Sequence, residues 1–372
     1  MGAGTATRYP EYRTFAVWRL MAAMLVMSYH FSFAAPHADA LTRWFEHMNP
    51  LLDMFFVLSG FLVYERYGHR VSTRPDYAFF LLRRLSRLYP LHIVTLGFFV
   101  AVGLAGHAGL IEAGGLHDRY DMGQLWTNLL LLQAWGVHDQ LTFNYVSWSL
   151  SGEWFAYLFL PVLAFAGLRM GLAGLILVLA VTLAGLEWAS RDAVEYSQTW
   201  YDAKSWGAWR IFADFTFGAI LYRIARRMPA SMGSRPAGWL LLGLSLASMF
   251  AGWGTYAALA LIGGAVVFMA VAERETPSPG GPMAVLAPVA ALSYGVYMWH
   301  PVMETVFFSG VWKLVIGAPQ TNWIYAFAIV PMVATVLVAA LSLRLIENPA
   351  ARAIMALGQR RGIVRTATVS PA

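Results

Sequence analysis

The chain has 372 residues, of which 59% are apolar and only 12% charged, so it cannot present a water-facing surface as one or two soluble domains. Cysteine is absent, which excludes disulfides, thiolate metal sites and an acyl-cysteine intermediate together. The formal charge of +6 does not point to nucleic acid, because the 26 Lys and Arg residues sort by side of a membrane once the apolar runs are laid out.

Runs of about twenty apolar residues, the length a helix needs to cross ~30 Å of hydrocarbon, recur along the chain. In chain order they predict an all-α polytopic transmembrane bundle of about ten spans, over 15–35, 50–64, 88–106, 148–168, 171–189, 207–224, 238–253, 255–272, 284–308 and 324–346. A further run over 125–135 is too short to cross and is expected to lie at the interface or to re-enter. With both termini in the cytoplasm, the far side receives Arg43, Arg119, Arg191, Lys204, Arg210 and Lys313, Arg19 stays inside the first span, and the remaining nineteen basic residues face the cytoplasm. Counting the short run as a span would throw Arg223, Arg226, Arg227 and Arg235 outside, so ten is the expectation. Ala38-Asp39-Ala40 resembles a signal cleavage site, but the run before it is too long and carries Arg19. Residues 1–372 read as a single membrane domain, with 347–372 as a short basic cytoplasmic tail beside anionic headgroups.

A charge at mid-bilayer costs ~2.5–3.5 kcal/mol, so each one retained in a span needs a partner, a wet cavity or a task. Arg19 and His30 lie eleven residues apart on the first span, three turns plus ~20°, and so share a face about 16 Å apart along the axis. Asp53 on the second span and Glu153 on the fourth are expected at the depth of His30, which places three titratable groups in one layer. Arg210 and Asp214, spaced i,i+4 on the sixth span, read as a structural ion pair. His300 and Glu304 fall on the outer half of the ninth, with Pro301 marking a kink. Arg83, Arg84 and Arg87, just before Tyr89-Pro90, form a cationic cluster at the mouth of the third span and suit phosphate. No metal site is expected.

Several patterns stand in a fixed order: Arg19-Leu20 through Tyr29-His30; Asp53-Met54-Phe55-Phe56-Val57-Leu58-Ser59-Gly60-Phe61; Arg84-Leu85-Ser86-Arg87-Leu88-Tyr89-Pro90; Trp148-Ser149-Leu150-Ser151-Gly152-Glu153; Ser293-Tyr294 through His300-Pro301; and Glu347-Asn348-Pro349. Together they resemble acyltransferase family 3, the integral membrane O-acyltransferases of bacterial glycans and related acceptors, over roughly residues 15 to 350. The resemblance implies a multi-pass protein of the bacterial inner membrane. It also implies transfer of an acyl group, acetyl first of all, from cytoplasmic acyl-CoA to a hydroxyl of an exopolysaccharide, lipopolysaccharide or glycolipid, with no permanently bound cofactor. On that reading His30 is the general base, with Glu153 or Asp53 orienting its ring. Arg83, Arg84, Arg87 and Tyr89 bind the CoA phosphate end, and Arg19 lines the path of its arm. Ser149, Arg210, Asp214, Tyr294 and His300 stand around the acceptor or behind the catalytic groups. The expected partners are acyl-CoA, the carbohydrate acceptor and the bilayer, with no nucleic acid; a homo-oligomer is compatible with the sequence. The rival class is a glycolipid or solute transporter, which calls for repeat symmetry and paired broken helices that the sequence does not display.

Overall fold

The computed structural model describes residues 10–35, 38–71, 73–111, 116, 118–191, 201, 203, 205–275, 286, 288–317 and 323–362. The first residues of the expected span over 284–308, together with Arg8, Lys204 and Arg365 of the charge count, lie outside them. Among the described residues the architecture is helical and no strand occurs. Four helices are long and apolar enough to cross a membrane, Arg74–His107, Gly171–Ala189, Thr255–Arg274 and Trp323–Arg360, and a bent pair over Tyr145–Arg169 makes a fifth if taken as one span. Helices also cover the other expected runs: α1 (Arg13–Ser32), α3 (Pro50–Tyr67), α9 (Gly207–Arg227), α10 (Arg235–Phe250) and α12 (Ser293–Glu304). A short amphipathic α2 (Asp39–Glu46) follows α1 with none of its residues buried, as an interfacial helix does.

Three elements depart from the expected runs, each for a local reason. The third run belongs to α4 (Arg74–His107), whose 34 residues make ~51 Å of helix, well beyond ~30 Å of hydrocarbon. Thr73 caps its start, the hydroxyl accepting from the amide of Asp76. Arg83, Arg84 and Arg87 are therefore carried on a rigid helix instead of a loop at its mouth. The fourth run is two helices, α6 (Trp148–Leu158) and α7 (Leu160–Arg169), bent by 43° at Phe159. Pro161 explains the break, since it has no amide to donate back into α6 and tolerates only the first turn of a new helix. The last run passes through α13 (Trp323–Phe327), α14 (Ile329–Ser342), a π-helical turn (Leu343–Glu347) and α15 (Asn348–Arg360), so residues expected as a tail begin as helix. Pro349 stands at the start of α15, where its missing amide is harmless, and α15 packs on α4.

The expected interfacial run holds only a five-residue α5 (Leu125–Leu129), followed by irregular backbone with Leu131 in the left-handed region. That backbone is satisfied internally: Ser151 Oγ accepts from the amide of Ala134 and donates to the carbonyl of Leu131. The remaining helices are α8 (Gly171–Ala189) and α11 (Thr255–Glu275), which pairs with α10.

The centre of the bundle is the crossing of α3 and α9, the most extensive helix pair in the structure. Gly60 sits against the backbone of Phe215, and Gly218 against the backbone of Val57 and Phe61, so the two chains touch where a side chain would stand. A methyl at Gly218 would meet main-chain atoms that cannot swing aside. Gly218→Ala is expected to cost about 1–3 kcal/mol, seen as a lower midpoint in thermal or SDS unfolding of the detergent-solubilised protein. α1 docks on both α3 and α12, which presents one of its faces to the interior.

Candidate active site

That inward face of α1 borders two cavities. The inner one is lined by Arg19, Arg66, Arg84, Arg87, Ser59, Ser149, Glu153, Tyr157, Tyr294 and Tyr297 among apolar neighbours. Arg66 and Arg87 are exposed, while Arg19 and Arg84 are half-buried. Four guanidinium groups against one carboxylate make this an anion-accepting space. Aromatic faces hold the deeper cations: Arg19 lies 4.2 Å over Phe55, and Arg84 lies 5.2 Å from Tyr67 and 5.7 Å from Tyr157. The Nε atoms of Arg19 and Arg84 are buried without a hydrogen-bond partner. Glu153 is fully occupied, with Ser59 donating to Oε1 at 3.1 Å and Tyr157 to Oε2 at 2.9 Å.

The outer cavity is lined by Leu25, Val26, Tyr29 and His30 of α1, and by Tyr145, Trp148, Tyr201 and Arg210 across from them. The His30 ring lies 4.8 Å from that of Tyr145 and 5.2 Å from that of His300. Tyr145 donates to Glu304 Oε2 at 2.7 Å, and the guanidinium of Arg119 lies 5.3 Å from its ring. The loop carrying Tyr145 is tied to α12, where Tyr297 donates to the carbonyl of Val146 and Asn144 Nδ2 to that of Met298. Phe143, in the left-handed region at φ 54°, sets the approach to that turn. His300 is fully buried, and neither of its ring nitrogens has a hydrogen-bond partner.

A buried clasp closes one wall of the outer cavity. Arg210 on α9 donates from Nε to Asp53 Oδ1 at 2.7 Å and from Nη2 to Oδ2 at 2.9 Å. Tyr201 donates to the same carboxylate, accepts Arg210 Nη1 on its carbonyl at 2.5 Å, and stacks its ring 3.7 Å from the guanidinium. Asp53 is 1% exposed and Arg210 4%, so the pair is held by its geometry, a bidentate fork with every carboxylate oxygen used.

Arg19, Arg84 and Arg87 come together as expected, and His30 lines an interior cavity. Other expectations are corrected by geometry. Arg210 does not pair with Asp214 along its own helix. It reaches across to Asp53, because two oxygens presented face-on by α3 match the planar fork better than a carboxylate one turn away. Asp214 is left buried with Oδ2 unpartnered. Neither Asp53 nor Glu153 is hydrogen-bonded to His30, since Asp53 is consumed by the clasp and Glu153 faces the inner cavity. Arg83 lines neither cavity, and Tyr89 turns away to donate to the carbonyl of Leu129 at 2.8 Å, binding α4 to α5. Ser149 and Tyr294 line the inner cavity but donate to the carbonyls of Val146 and Leu88. Arg66, Arg119, Tyr145 and Tyr297 have no place among the expected site residues. Tyr145 stands three positions before the Trp148 motif, a spacing that is its one sequence signal, whereas Glu304 was visible as a carboxylate within a span, four residues after His300.

Comparisons with known proteins bear on this arrangement. A family model described as an acyltransferase domain matches residues 14–342. Nodulation protein 10 of Rhizobium leguminosarum bv. viciae is 27% identical over 334 residues, covering 84% of this chain and 84% of that protein. A putative acetyltransferase, ORF330, of Acidianus two-tailed virus is 23% identical over 271 residues, 72% of this chain and 76% of its own. Acyltransferase MdmB of Streptomyces mycarofaciens is 32% identical over 117 residues, 30% of this chain and 27% of its own. No solved structure matches the chain. The family match and the helical, apolar architecture place the chain among membrane-embedded enzymes, not among transporters.

Proposed function

The chain belongs to acyltransferase family 3, and from that premise we propose that it moves an acyl group, acetyl first of all, from acyl-CoA in the inner cavity to a hydroxyl of a carbohydrate acceptor in the outer one. The observation that carries this reading is that one face of α1 joins an arginine-lined cavity to a histidine-lined one. The proposal takes the ten expected spans, cytoplasmic termini and the bacterial inner membrane as its setting, so that the arginines face the side where CoA is made.

In this scheme Arg66, Arg84 and Arg87 hold the phosphates, as charge-assisted hydrogen bonds do best with planar donors. Arg19, with Glu153 as its counter-charge, borders the path of the arm. The acceptor hydroxyl oxygen attacks the thioester carbonyl while its proton passes to a ring nitrogen of His30. The C–S bond then breaks, and the CoA thiolate takes that proton from the imidazolium, so the base is regenerated. Tyr145, fixed by Glu304, and His300 pack against the ring and restrict its rotation.

Binding of labelled acetyl-CoA to detergent-purified protein tests the donor assignment. Arg84→Ala is expected to raise the dissociation constant about tenfold to a hundredfold, the size of one lost charge-assisted contact in a half-buried setting. Arg87→Ala, at an exposed position, is expected to have a smaller effect that fades as salt is raised. Unchanged affinity in both variants would remove the phosphate assignment.

A further inference from the structure

Of the residues lining the two cavities, Ala22 and Leu52 are the ones common to both. Along α1 the inward stripe runs Arg19, Ala22, Val26, His30, in steps of three and four that keep one helix face. The first of these borders only the inner cavity, the last two only the outer. The same change-over occurs on α6, where Ser149 faces inward and its neighbour Trp148 outward. Leu52 on α3 likewise borders both cavities, so α1, α3 and α6 each meet the two of them. Ala22 lies ~4.5 Å from Arg19 and ~12 Å from His30 along the axis. It is 2% exposed, with its methyl packed where the two cavities meet.

We propose that Ala22 and Leu52 form the bore through which the donor's pantetheine arm passes, and that the bulk of these two side chains decides which acyl groups reach His30. The inference rests on the acyl-CoA reading above and adds to it the element that selects the acyl group. A thioester held by phosphate contacts in the inner cavity has to lead with its acyl end through this level. Alanine has no rotamer to change, so Ala22 sets the fixed side of the opening. Leu52, half-buried, has staggered alternatives and supplies the adjustable side. Neither offers a hydrogen bond, which leaves size as the quantity discriminated.

Two measurements on the purified full-length protein test this. In the first, turnover is compared for acetyl-, butyryl- and hexanoyl-CoA, alongside CoA affinity. Ala22→Leu is expected to lower acetyl transfer at least about tenfold, and butyryl transfer further, with CoA affinity within about twofold of the parent. Leu52→Ala is expected to raise butyryl relative to acetyl turnover about tenfold. An unaltered chain-length profile in both variants overturns the proposal. The second measurement needs no turnover and uses the absence of native cysteine. Val26→Cys is incubated with CoA under copper–phenanthroline, which takes one electron from each thiol with loss of both protons, and intact mass reports the mixed disulfide. An adduct that disappears when Ala22→Leu is added supports the bore. No adduct, or one that persists in the double variant, overturns it, and should Ala22→Leu not fold, the Leu52→Ala profile and the single Val26→Cys adduct decide. If the parent protein neither binds nor turns over acyl-CoA, the underlying reading fails as well; if it does both and the variants behave like it, the bore alone fails.

Discussion

His30→Ala is expected to reduce acyl transfer by about 10²–10⁴-fold while leaving CoA affinity within about twofold of the parent. The separation of the two effects follows from the layout, because the arginines proposed to hold the phosphates border one cavity and the imidazole another. An alcohol is a weak nucleophile at neutral pH, and a neutral imidazole nitrogen can take the hydroxyl proton and return it within one cycle. His300 stands nearby but is fully enclosed, whereas His30 opens to the outer cavity where an acceptor can sit. Single-turnover transfer with saturating acetyl-CoA, measured beside equilibrium binding, checks the expectation. Turnover retained in the variant would remove His30 as the base.

The second large effect is structural. Asp53→Ala is expected to destabilise the protein by about 3–5 kcal/mol, because it strips the buried Arg210 guanidinium of the carboxylate that takes two of its hydrogen bonds. Arg210→Ala should cost a similar amount from the other side. Replacing both together by apolar side chains of similar volume, Asp53→Leu with Arg210→Met, should recover most of the loss, since the penalty belongs to the orphaned charge and not to the absent bond. Unfolding midpoints in detergent for the two single variants and the double variant form the test, and a double variant no better than the singles would refute it. Tyr201 and Arg210 line the outer cavity, so the single variants should also lose acyl transfer.

How much of this was legible in the chain itself depended on the distance over which each contact acts. Helical periodicity alone put Arg19 and His30 on one face, and that face proved to be the one turned inward along both cavities. The clustering of Arg84 and Arg87 survives because both ride on one long helix. The Asp53–Arg210 clasp was not readable, because the residues are 157 positions apart and a plausible local partner, Asp214, sits four residues from the same arginine. Glu153 was placed beside His30 by counting from a helix end, which gives no account of facing, and its carboxylate turns to Ser59 and Tyr157 at the inner cavity. Tyr145 opens a 3-10 turn before α6 that is held by contacts to a helix about 150 residues later, which no period in the sequence announces.

The crossing at Gly60 and Gly218 has a mechanical consequence. Two helices joined backbone to backbone at those glycines, and bridged again by the Asp53–Arg210 fork, have no side-chain layer at the crossing to take up a shift of one against the other.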